Sequence, residues 1–197
     1  MFLNCHSYHS LRYGTIPLDD LIKQAAQCGV TAAALTDINT VTGIYDFIKG
    51  CEASGIKPLV GIEFRCRHKL RYIGLAQNAA GLAQMNRFLT DHNFSGNPLP
   101  VKAPSFESVY FIYTLENVPA QLGENEFIGI QPDQLGRLFM PELKKKISKM
   151  VILQPVVFRT KREYNLHRIL RAVDLNELLS KLGPDDCCSK SDVMIPE

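Results

Sequence analysis

The chain has 197 residues, 46% of them hydrophobic and 21% charged, which is enough to bury the core of one domain and excludes a disordered tail. With 22 basic against 20 acidic residues the formal net charge is +2, so the whole surface is not a nucleic-acid coat, although a local basic patch is compatible with it. No apolar run approaches the roughly 20 residues of a membrane span, and MFLNCHSYHS lacks the basic-then-apolar layout of a signal peptide. A cytoplasmic location with no membrane contact is the expectation. Six cysteines without CxxC spacing fit it, reading as reduced thiols.

In chain order, Phe2 to Cys5 reads as a strand and His6 to Thr15 as a polar loop. Pro17 then opens a helix with Leu18, Leu21, Ile22, Ala25 and Ala26 at helical spacing, closed by Gly29. Thr31 to Leu35 predicts a buried strand, and residues 41–53 a helix with Ile44, Phe47, Ile48 and Cys51 on one face. Leu59 to Phe64 and Leu70 to Ala76 predict strands, and Gly81 to Thr90 a helix. This alternation with short connections implies βα units and a mainly parallel sheet. Asn93 to Pro104 is a proline-rich loop; Val109 to Tyr113, Phe127 to Ile130 and Met150 to Val157 are strand candidates. A last helix runs from about Arg162 toward Leu182, and the polar residues after Gly183 resemble a linker.

In such a fold, functional groups gather where strands end. His6 follows the first strand, Asp37 the second, and Glu63 ends the third. One imidazole and two carboxylates suit zinc, manganese or iron, and a metal there could activate water against a phosphoester. The plainer reading makes Asp37 a helix cap, Glu63 the partner of a nearby arginine, and His6 a loop residue.

Four ordered segments, CHSYHSLRYGT, AALTDINTVTGIYDF, GIKPLVGIEF and GLAQN, resemble the N-terminal PHP (polymerase and histidinol phosphatase) domain of the bacterial DNA polymerase III alpha subunit; REYNLHRILRAV resembles its closing helix. The resemblance implies a distorted, TIM-like β/α barrel of about seven units carrying up to three divalent metals at one rim. It places that domain at 1–182 and a linker or the start of a following segment at 183–197, with a middle section, 91–149, shorter than usual. It also implies a role in DNA replication, with the remainder of a polymerase alpha chain, other replication proteins or DNA as partners.

The sequence departs from the family pattern at the ligands. Asn4, Tyr13, Ile38 and Arg71 stand where the pattern has His, Asp, His and His, and Pro155 and Val157 where a late D-x-H belongs. Only His6, Asp37 and Glu63 survive, a set expected to hold no cofactor or at most one divalent metal, zinc, manganese or iron. The expected role is therefore an eroded structural and interaction module; the alternative is an active phosphoesterase or 3′-5′ exonuclease helped by His9. About 200 residues cannot hold a polymerase site as well. Arg71 is expected to neutralise Glu63 or Asp37 in place of metal.

Other cations admit two readings. Arg65, Arg67, His68, Lys69 and Arg71 are either solvated or contacts to a nucleic-acid backbone; Lys161, Arg162, Arg168 and Arg171 face either DNA or the acidic surface of a neighbouring domain; and the run Lys144 to Lys146 is a solvated stretch. His167, beside Leu166 and Leu170, reads as a core histidine rather than a ligand.

Overall fold

The computed structural model describes residues 1–196. Eight strands form one sheet: β1 (Phe2–Cys5), β2 (Ala32–Leu35), β3 (Lys57–Cys66), β4 (Lys69–Ala76), β5 (Val109–Thr114), β6 (Glu126–Ile130), β7 (Met150–Ile152) and β8 (Pro155–Val156). Their spatial order is β7-β6-β5-β4-β3-β2-β1-β8. The two edges, β7 and β8, are separated in the chain only by Leu153 and Gln154, and the three Cα–Cα steps from Ile152 to Pro155 span no more than about 11 Å. The sheet must therefore curl until its edges approach, giving an α/β half-barrel. Leu3, Ala34, Leu59, Ile73, Ile112, Phe127 and Leu153, drawn from nearly every strand and the link between the edges, pack together inside it.

The sheet is mainly parallel, as expected, with five of its seven strand pairings parallel, but β4 runs against both of its neighbours. β3 turns back directly into β4, and β4 is antiparallel to both β3 and β5. A two-residue turn at Arg67 and His68, with Arg67 left-handed at φ 55°, leaves no room for the crossover that parallel strands need.

Helices α1 (Leu18–Gln27), α2 (Ile44–Ala53) and α3 (Ala79–Ser95) cover the outside. The first two bury Leu21, Ile22, Ile44 and Phe47 against β1 and β2, each such side chain contributing about 1.5–3 kcal/mol. Asn78 caps α3 by accepting from the Gly81 amide at 3.0 Å, and left-handed Gly96 ends it. α3 still packs on β5 through Met85 and Leu89, but over β6 and β7 the helical layer is missing among the described residues: Pro132–Phe139 and Ile147–Lys149 form only tight turns around the one-turn α4 (Pro141–Lys144). The shortened middle section thus keeps its strands and gives up its helices. At the mouth where the parallel strands begin, this leaves an apolar cavity of about 850 Å³ beside Leu3, Leu59, Phe127 and Val151, remote from the polar rim.

The last helix, α5 (Lys161–Leu175), ends at left-handed Asn176, short of the expected Leu182. Its buried residues are His167 and Arg171, while Leu166, Ile169 and Val173 face solvent. The stretch after Gly183, expected as a linker, instead lies on the barrel: Cys188, Asp192 and Met194 are buried, and Met194 joins the core beneath α1 and α2. Glu197, its last residue, lies outside the described residues. No helix of the described residues is long and apolar enough to cross a membrane.

Candidate functional site at the barrel rim

β1, β2, β3 and β8 end at one rim, and the loop after β1 folds down over it. Its backbone is knotted by Ser10 N–H to Ser7 O (3.0 Å) and Gly14 N–H to Ser10 O (2.8 Å). Gly14 is obligatory, since a Cβ there would lie 1.8 Å from the Ser7 carbonyl oxygen. This compaction turns His6, Ser7 and Ser10 inward, where all three are buried.

Asp37 anchors the loop. Its carboxylate accepts from the Ser7 amide (2.7 Å), the Ser7 hydroxyl (2.6 Å) and the Ser10 hydroxyl (2.6 Å). Ser10 Oγ in turn accepts from the Ile38 amide (3.0 Å) and lies 3.2 Å from His6 Nδ1. Asp37 is thus a loop clamp, not a helix cap.

Glu63, 1% exposed, is held by three groups. Asn4 Nδ2 donates to Oε2 at 3.1 Å, His6 Nε2 approaches the same oxygen at 3.1 Å, and Arg65 Nε pairs with Oε1. Thr36 donates to Asn4 Oδ1 at 2.8 Å, fixing which way that amide faces. Burial alone would raise the Glu63 carboxyl, but the Arg65 guanidinium and His6 hold it down at about 2. The same pairing, working against burial, raises Arg65.

Arg65 is stacked on a ring as well as paired. Its guanidinium lies 4.2 Å from the centroid of the Tyr13 ring, and burial pushes the Tyr13 hydroxyl up to about 12. Asn39, left-handed at φ 49°, exchanges side-chain hydrogen bonds with the Arg65 backbone at 2.8 and 2.9 Å and so extends the end of β3. Ile38 packs with Tyr13 and Val157 beside it.

The rim therefore brings together His6, Asp37, Glu63, Asn4 and Tyr13, but the expected cation is replaced. Arg71 is the extra residue of a bulge, since Phe64 pairs with Tyr72 and Arg65 with Leu70. Its Nε is buried without a partner, and among the described residues no hydrogen bond or ion pair joins it to Glu63 or Asp37. The signal for Arg65 was present in the sequence, because residues 63 and 65 of one strand share a face. Ser7 and Ser10 fall within the polar loop predicted from His6 to Thr15, and nothing in the sequence pattern marks them or Thr36 as partners of the rim. His9 lies outside the cluster, its ring against Gly43 and Tyr8.

The C-terminal segment closes the rim from above. His167 Nδ1–H donates to the Tyr13 carbonyl at 2.7 Å and Nε2 accepts from the Cys188 amide at 3.0 Å, so the ring is a neutral strut; burial depresses it to about 4. Burial raises Asp192 to about 6, although it accepts from the Ser189 amide at 2.9 Å. Among the described residues no three His, Cys, Asp or Glu side chains are grouped as a metal cage would require.

A family model described as the PHP domain matches residues 3–152. The chain belongs to the PHP domain family. An error-prone DNA polymerase of Symbiobacterium thermophilum is 36% identical over 96 residues, 49% of this chain and 9% of its own length. A DNA polymerase III subunit alpha of Aquifex aeolicus is 39% identical over 61 residues, 31% of this chain and 5% of its own. This PHP domain chain therefore spans less than a tenth of the length of these curated relatives. Among solved structures, an amidohydrolase from Chromobacterium violaceum aligns at a TM-score of 0.39 and 22% identity, over 48% of this chain and 34% of its own.

Proposed function

We propose that this PHP domain serves the N-terminal region of a DNA polymerase III alpha-like protein in replication, as a catalytically eroded structural and interaction module in the cytoplasm. Its partners are then the remainder of an alpha chain or other replication proteins. The observation that carries the reading is the state of the three surviving ligands. Both oxygens of Glu63, both oxygens of Asp37 and both ring nitrogens of His6 already face groups of the protein itself. A guanidinium occupies the electrostatic place of a cation at Glu63, and a second positive charge beside it is disfavoured. These residues do not fit a multinuclear metal site, and no hydrolytic step is derived through one.

Two measurements test this. Elemental analysis of purified full chain is expected to find well under one tightly bound zinc, manganese or iron per molecule, and added Mn²⁺ is expected to give no hydrolysis of a chromogenic phosphate ester. Two or three metals per chain, or hydrolysis abolished by Asp37→Ala, would replace the reading with an active phosphoesterase or exonuclease.

A further inference from the structure

The rim uses only some of the cations that surround α5. Arg171 is buried, hydrogen bonded to the Asp186 carbonyl at 2.8 Å and to Asp174 at 2.6 Å. Lys161, Arg168 and Lys190 take no part in this. They line a cleft of about 430 Å³ between the first half of α5 and the C-terminal segment, together with Arg159, and among the described residues no carboxylate side chain lines it. Arg159 is already neutralised, by Glu163 (Nε to Oε1, 3.0 Å) and by Asp20 (2.9 Å). Lys161 and Lys190 are exposed and form no ion pair among the described residues, and Arg168, also without an ion pair among them, donates to the Leu179 carbonyl at 3.3 Å and lies against the Cys187 side chain. Three positive charges thus converge on one concave surface, with no ion pair to any of them among the described residues and the buried Asp192 behind the cleft as the near acidic group.

The floor of the cleft is aromatic. Tyr164 and Phe158 both line it, their ring centroids 5.1 Å apart, and Tyr164 is only partly buried. Cations spaced around an aromatic floor match an anion that repeats along a chain and carries flat rings. A lone inorganic phosphate would leave most of this volume empty, and an acidic peptide would make no use of the rings. We propose that the cleft binds single-stranded nucleic acid, its phosphates on Lys161, Arg168 and Lys190 and a base against Tyr164. The proposal is independent of whether the rim is eroded, because none of the three cations belongs to the rim cluster and Tyr164 only packs against its edge.

The test is fluorescence anisotropy of the full chain with a labelled oligo-dT of about 12 nucleotides, titrated over a salt series. Three phosphate contacts on a single strand predict a log-log salt slope of about −2, and Lys161→Glu with Lys190→Glu is expected to weaken binding about tenfold or more and reduce the slope to about −0.7. Tyr164→Leu is expected to weaken binding with the slope unchanged, whereas Lys49→Glu with Lys102→Glu, outside the cleft, leaves it unaltered. Lys161 and Lys190 are exposed and unpaired, so their variants keep the fold; the milder Lys161→Gln, Lys190→Gln pair, with an unchanged thermal midpoint, guards against misfolding. Wild-type affinity in both double lysine variants would overturn the proposal. So would displacement of the oligonucleotide by polyglutamate, or by free inorganic phosphate, as effective as displacement by unlabelled oligonucleotide.

Discussion

Glu63 keeps a full negative charge at 1% exposure, which an isolated carboxylate could not do. Asn4, His6 and Arg65 make this tenable, with Arg65 supplying the only formal charge of opposite sign that does not depend on protonation. Truncating Arg65 to Met leaves Glu63 buried beside two neutral or titratable donors, a change that typically costs about 3–5 kcal/mol. We predict that loss in urea unfolding, with the Glu63 carboxyl moved upward from about 2. The companion Glu63→Gln, Arg65→Met variant is predicted to recover most of the stability, because no unpaired charge is left. A loss below about 1 kcal/mol in the single variant would mean that the pair behaves as a surface ion pair. At this scale the sequence showed His6, Asp37 and Glu63 meeting at strand ends, because strand ends in a βα fold share a rim. It misdirected the cation to Arg71, because that choice depended on a register that the bulge at Arg65 and Leu70 shifts.

Helix α5 inverts the usual amphipathic arrangement. Its buried positions, His167 and Arg171, are four residues apart and stack on one face, while Leu166, Ile169 and Val173 lie outward. Hydrophobic periodicity cannot find such a helix face, because the surface beneath it is the polar rim and the criterion for burial there is a hydrogen-bond partner, not apolarity. The same packing predicts an unusual response to acid. His167 titrates at about 4 when folded, against 6.5 unperturbed, so between those values the unfolded chain binds the extra proton and stability falls as pH falls. Asp192 titrates at about 6 against 3.8, so between those values the folded chain binds the proton and stability rises as pH falls. From about pH 6 to pH 4 the two contributions oppose each other and nearly cancel. Asp192→Asn, which keeps an acceptor for the Ser189 amide, removes one of them. At pH 7 that variant is predicted to be more stable than wild type, on the order of 3 kcal/mol, because it no longer buries a charge. The advantage is predicted to vanish as pH falls through 6 toward 4, read by unfolding at each pH. An advantage independent of pH would show that Asp192 does not titrate in this range.

At the scale of the molecule, three features place the rim: the hairpin of β3 and β4, the strand broken at Leu153 and Gln154 that brings the sheet edges together, and the segment after Gly183 that covers the top. The first half of the chain was legible because α1 and α2 bury apolar residues at helical spacing while β1 and β2 are short runs buried almost throughout. The segment after Gly183 was not, because Gly183, Pro184, Asp185 and Asp186 carry the composition of a linker while the residues that fasten it are few and scattered. Yet those few are in buried places. The Cys188 amide donates to His167, the Asp192 carbonyl accepts from the Val157 amide at 3.0 Å, and Met194 fills the core beside Phe2 and Ile22. Burying Met194 contributes about 1.5–3 kcal/mol, and each buried hydrogen bond left unmade costs about 1–3 kcal/mol. Ending the chain at Leu182 would therefore remove several kcal/mol from a domain whose total stability is about 5–15 kcal/mol. The truncated chain is predicted to unfold at markedly lower urea concentration and to expose His167, whose pKa should return toward 6.5 in a histidine NMR titration. Unchanged stability together with an unchanged His167 titration would show that the segment only rests on the barrel and that residues 1–182 fold as a unit without it.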